Sequence, residues 1–198
     1  MNGAVSLVGE MDETRLVEMA RAGESEAFDA LVRRFQRQAV GVAYRLLNNM
    51  DDAMEISQDA LLKSFDKLKT LSKPSQFGPW LMRIVSNLAL NRRRARALRS
   101  AASLESAGGE EDERSGWEPA GSKAESPQEI ASGAEMLERL EKALATLPEM
   151  QREALVLFSM AEIPQKEVAQ MLGCSVEAVK WHVFTARKKL KELLAEYL

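Results

Sequence analysis

Residues 165–190, QKEVAQMLGCSVEAVKWHVFTARKKL, describe two helices joined by one tight turn. Val168, Met171 and Leu172 fall at the i, i+3, i+4 spacing of a single helical face. Gly173 follows the last of them, placed to close that helix in the left-handed conformation, and Ser175 can cap the next one through its hydroxyl. The second helix has an apolar side made of Val176, Val179, Val183 and Leu190. Its other side is polar and cationic, with Lys180, Trp181, Thr185, Lys188 and Lys189. This is the pattern of a helix-turn-helix whose second helix enters the major groove. A surface hairpin with merely solvated lysines is the bland alternative, and the short Gly-Cys-Ser turn and one-sided charge count against it.

Working outward, the formal charge of −3 looks wrong for a nucleic-acid binder until it is resolved along the chain. Residues 1–100 carry 16 basic and 12 acidic groups, residues 101–134 carry 2 and 8, and residues 135–198 carry 9 and 10. The acidic excess therefore sits in the middle. That segment is rich in Gly, Ser, Glu and Pro and has no sustained apolar period, so it reads as a flexible acidic linker over 101–134. The expected fold is all-α, with two small helical domains, 12–100 and 135–198, on either side of the linker. Residues 1–11 are expected to form a flexible N-terminus.

The N-terminal domain reads as four helices. Leu16, Met19 and Ala20 mark a short first helix that Gly23 ends. A longer one runs from Phe28 to Leu47, with Asn48 and Asn49 as its stop. The third starts at Asp51 or Asp52, where acids suit the positive end of the helix dipole, and runs through Ile56, Ala60, Leu61 and Phe65 to about Leu68. The fourth follows loop 70–78, with Pro79 acceptable in its first turn.

In the fourth helix, Trp80, Leu81, Ile84, Val85 and Leu88 form the apolar stripe, while Arg83, Asn87, Asn91 and Arg94 recur on the other side. Between Asp66 and Glu105 there is no acidic residue, although three lysines and six arginines lie there. Such uncompensated cations favour phosphate through counterion release, and a non-specific RNA contact would use them equally well. Phe77 and Trp80 beside Asn87 could form a stacking platform for unpaired bases, but core packing is the better reading of Trp80. Asn87 and Asn91 are stronger candidates, since an amide both donates to and accepts from a base edge. The third helix differs in having a mainly acidic polar face of Asp52, Glu55, Ser57, Gln58, Asp59 and Lys63. It is either a solvated surface or a docking face for a basic protein groove.

Four segments now carry a resemblance: DAMEISQDAL at 52–61, WLMRIVSN at 80–87, LPEMQR at 147–152, and the helix-turn-helix. In this order and spacing the chain resembles extracytoplasmic-function sigma factors of bacterial RNA polymerase. The resemblance implies that Asp52, Glu55, Gln58 and Asp59 dock on the clamp helices of core RNA polymerase. It implies that loop 70–78 and the fourth helix melt and hold the promoter minus-ten element, through Ser75, Phe77, Trp80, Arg83, Asn87, Asn91, Arg92, Arg93 and Arg94. The C-terminal domain would meet the polymerase flap and read the minus-thirty-five element as duplex, through Ser175, Lys180, Trp181, Phe184, Thr185, Arg187 and Lys188. The acidic linker would thread toward the polymerase's basic RNA exit path, and an anti-sigma factor is a further expected partner. The recognition helix departs from the family pattern at Glu177-Ala178, Trp181-His182 and Thr185, so a promoter sequence does not transfer. Met54 likewise stands where the docking helix usually has an acid.

Other classes fit less well. A stand-alone helix-turn-helix regulator needs a ligand pocket or a dimer seam, whereas the N-terminal half offers arginines and an acidic face. There is no phosphate-loop or dinucleotide motif, no nucleophile motif and no His-bearing acid/base set, so no enzyme is expected. One Cys and one His exclude an internal disulfide and a tetrad of metal ligands, and no metal or cofactor is expected. Cys174 reads as a small packed residue, and His182 as a packing or phosphate-contacting residue. With no run of about 18 apolar residues and no secretory signal, the chain is expected to be cytoplasmic and not inserted in a membrane.

Overall fold

Asn48 and Asn49 show how local chemistry sets the helix borders. Asn48 closes one helix in the left-handed region at φ 53°, and the side chain of Asn49 accepts the Asp52 N–H at 2.9 Å to open the next. A computed structural model describes the backbone of residues 11–104 and 127–195 and the side chains of residues 11–100 and 135–195. Among the described residues there are only helices and turns.

The N-terminal unit consists of α1 (Glu13–Arg21), α2 (Ser25–Leu47), α3 (Met50–Lys67) and α4 (Phe77–Leu104). Helix α2 lies against the other three and α3 packs on α4, around Leu16, Leu31, Val42, Leu46, Ile56, Phe77, Leu81 and Val85. The C-terminal unit consists of α5 (Pro127–Ala145), α6 (Glu149–Leu155), a π turn over Val156–Met160, α7 (Gln165–Leu172) and α8 (Val176–Leu193). Leu157, Ile163, Val168, Val179, Val183 and Ala186 seal its centre. The apolar cores join, because α2 also touches α5, α6 and the π turn.

Helical backbone reaches further than the composition suggested. Residues 101–104 extend α4 and residues 127–134 begin α5, so both flanks of the expected linker are helical. Residues 105–126 of that linker, and residues 1–10 of the expected N-terminal tail, lie outside the described residues.

Two expectations fail at particular side chains. Phe65, expected in the apolar stripe of α3, is 54% exposed and meets Phe28 edge-on with centroids 4.8 Å apart. Ser57, expected on the polar face, is buried and donates to the Met54 carbonyl at 2.9 Å. A hydroxyl satisfied within its own helix goes into a core at small cost.

Candidate nucleic-acid and polymerase interfaces

The start of α4 is tied down from α1. The Glu13 carboxylate accepts the Phe77 N–H at 2.7 Å and the Gly78 N–H at 3.3 Å, satisfying donors that a helix N-terminus leaves open. A Cβ on Gly78 would lie 2.7 Å from the Phe35 ring, so glycine is what lets α4 approach α2 here. Arg21 braces the preceding loop through the Leu68 carbonyl, at 3.1 Å, and the Leu71 carbonyl. The loop is thereby fixed, and Ser75 stands exposed on it.

Phe77 belongs to the core and not to a base-stacking platform. It is fully buried among Phe28, Phe35 and Trp80, with centroids 6.5, 5.5 and 5.9 Å away. No base can reach its face. Trp80 is half-buried against the same cluster, whereas Asn87 and Asn91 are exposed.

The arginines of α4 are engaged within the protein. Arg92 forms ion pairs with Asp52 and, at 2.6 Å, Glu55. Two expected docking acids therefore pair with an expected strand-binding cation. The hydrogen bond from Arg92, and then its charge, hold the Glu55 carboxyl below its ordinary range, and the same bond raises the Arg92 guanidinium. Gln58 and Asp59 remain exposed on that helix.

Other arginines reach the C-terminal unit. Arg83 donates to Glu167 at 2.9 Å, and Arg94 donates to the Met171 carbonyl. Arg93 pairs with Glu149 at 2.8 Å and with Glu153, which is 1% exposed. Burial lowers the Arg93 guanidinium from its ordinary value while Glu149 opposes that shift. On the far side, Arg45 of α2 is buried, donates to the Gly41 carbonyl at 2.9 Å and pairs with Glu141 of α5. Burial raises the Glu141 carboxyl, and Arg45 pulls it back. Gln38 completes the seam by donating to the Met160 carbonyl at 3.3 Å.

The helix-turn-helix is built as its spacing requires. Gly173 takes φ 67°, and the Ser175 hydroxyl accepts the Ala178 N–H at 3.1 Å. Val179, Val183 and Ala186 face inward; Glu177, Lys180, Trp181, Phe184, Arg187 and Lys188 are exposed on the opposite side. Thr185 is half-buried. Arg187 donates to the Ser159 hydroxyl at 3.0 Å and lies 5.8 Å from the Phe158 ring centroid, so its guanidinium is oriented by its own unit. Sequence spacing did not reveal the roles of Glu13, Arg45 or Glu153, whose partners are far away in the chain. Among the described residues no cluster of three His, Cys, Asp or Glu side chains could hold a metal ion, and no helix is long and apolar enough to cross a membrane.

Comparison with known proteins agrees with this two-unit geometry. Residues 31–99 match the family described as Sigma-70 region 2, and residues 137–190 match Sigma-70, region 4. The RNA polymerase sigma-H factor of Pseudomonas aeruginosa is 30% identical over 192 residues, spanning 97% of this chain and 98% of that one. The ECF RNA polymerase sigma-E factor of Escherichia coli K12 is 28% identical over 175 residues, spanning 88% of this chain and 90% of its own length. Among solved structures, the sigma factor RpoE in complex with the anti-sigma factor NepR from Bartonella quintana shares the fold, with a TM-score of 0.62 at 24% identity over 86% of this chain and 98% of that one. CnrH in complex with the cytosolic domain of CnrY matches with a TM-score of 0.54 at 26% identity over 94% of this chain and 99% of that one.

Proposed function

Because this chain belongs to the extracytoplasmic-function sigma factors of the sigma-70 family and directs promoter-specific transcription, we propose that it does so by joining core RNA polymerase and gripping promoter DNA at two places. The C-terminal unit reads the minus-thirty-five element as duplex with α8. The N-terminal unit holds the melted minus-ten strand with Ser75 of the loop, Asn87 and Asn91, and with Arg83, Arg92, Arg93 and Arg94. The observation that carries this reading is the capped helix-turn-helix, whose exposed cationic stripe faces away from its own core. Exposed Gln58 and Asp59, with Asp52 and Glu55, form the docking face for the polymerase clamp helices, and the C-terminal unit meets the flap. An anti-sigma factor that covers one of these faces would silence the chain.

In the arrangement described, Arg83, Arg93 and Arg94 are occupied by the C-terminal unit, so holding the strand requires the two units to part. Binding of core polymerase and two DNA elements supplies the force for that, each contact raising the effective concentration of the next.

Co-purification with core polymerase tests the docking face. Asp59→Lys, exposed and outside the Arg92 ion pairs, is expected to abolish co-purification while the circular dichroism spectrum stays helical. Unchanged co-purification would remove this assignment. Permanganate footprinting tests the strand assignment: Asn87→Ala is expected to leave closed-complex binding intact and to reduce thymine reactivity around the start site.

A further inference from the structure

The stripe that α8 turns outward carries two large aromatic rings. Trp181 is 57% and Phe184 69% exposed, whereas Val179, Val183 and Ala186 on the other face of the helix are buried. Aromatic side chains of this size gain most when covered, and leaving two of them in water on a rigid helix calls for an occupant. Its chemistry is set by the surroundings: Lys180 and Lys188 lie beside the rings and make no ion pair among the described residues, and they outnumber Glu177, the acid exposed one turn before Trp181. A polyanion with apolar groups on its accessible face fits both features. In the major groove the apolar feature of a base edge is the thymine 5-methyl group.

We propose that Trp181 is a specificity-determining residue that recognises a thymine 5-methyl group in the upstream duplex, and that Phe184 takes a second one on a neighbouring base pair. This rests on the assignment of α8 to duplex DNA made above. Phe184 offers no polar atom and Trp181 only a donor, so neither ring can read a base by paired hydrogen bonds. Three helical residues advance about 4.5 Å along the axis, close to the ~3.4 Å rise of one base step, so the rings address adjacent pairs. Trp181 lies edge-on to His182, with ring centroids 5.0 Å apart. Both rings are exposed, so truncating either one is expected to leave the helix core behind them intact.

The test uses the full chain with core polymerase and a duplex library randomised over the upstream element, prepared once with thymine and once with uracil. Uracil keeps the pairing and lacks only the methyl group. The thymine library is expected to enrich for thymine at two neighbouring positions, and uracil there should weaken binding about fourfold per methyl. Trp181→Ala should lose the same factor and bind the thymine and uracil duplexes alike at one position, with Phe184→Ala doing so at the other. Equal binding of both duplexes by the unmodified chain would overturn the inference while leaving duplex reading intact. So would a Trp181→Ala variant that keeps the thymine preference. If neither library yields any bound duplex, the assignment of α8 to DNA falls, and the inference with it.

Discussion

Helices α4 and α8 both carry cations opposite an apolar stripe, yet the structure treats them differently. The α4 arginines are taken up internally, by Asp52 and Glu55 on one side and by Glu149, Glu153, Glu167 and the Met171 carbonyl on the other. On α8, Lys180, Trp181, Phe184 and Lys188 are exposed and ready to meet a ligand. A count of charges along a sequence registers the inventory of a surface and not its availability. The α8 surface is thus open in this arrangement, whereas the α4 arginines have to be released before they can hold a strand.

The difference can be broken most severely at Arg93. Arg93→Ala leaves Glu153 buried without its cation, which should cost about 3–5 kcal/mol while the seam stays shut. Urea unfolding measures it. An unchanged midpoint would mean that the units separate readily and Glu153 reaches water.

A smaller effect is expected on the open helix. Lys180→Ala should weaken duplex binding by about 1–3 kcal/mol if it reads a base edge. Fluorescence anisotropy across several promoter sequences distinguishes this from a phosphate contact, for which the loss would be uniform.

The comparison sharpens when the seam is loosened without burying a new charge. Glu149→Lys with Glu167→Lys replaces two partly exposed ion pairs by repulsion, each worth about 1 kcal/mol or less. The free chain should then bind a single-stranded minus-ten oligonucleotide several-fold more tightly and show a larger radius of gyration in small-angle scattering. No gain in binding would remove the claim that the seam blocks those arginines. The smallest change is Ser175→Ala, expected to cost about 1 kcal/mol in thermal unfolding through loss of the α8 cap.

These particulars show where sequence reading reaches. The helix-turn-helix was legible because its determinants are local: the Val168, Met171, Leu172 spacing, the left-handed Gly173 and the Ser175 cap all act within a few residues. Asn48 and Asn49 were legible for the same reason. The burial of Phe77 was not legible, because a ring at the start of a helix looks the same in sequence whether it faces a strand of DNA or the core. Only the packing of α2 against α4, through Phe35 and Gly78, decides between them. Pairings such as Glu13 with the Phe77 N–H, or Arg45 with Glu141, join residues 64 and 96 positions apart, and no periodicity encodes them. The acids proposed for docking were legible as an acidic face, but the ion pairs of Asp52 and Glu55 with Arg92 were not.

The most direct test of the central claim is run-off transcription with the purified chain and core RNA polymerase on genomic promoter fragments. The account predicts initiation at discrete start sites, preceded by an element that α8 protects as duplex and one that opens to permanganate. Absence of initiation at every genomic site, with a folded chain and active core enzyme, would contradict it.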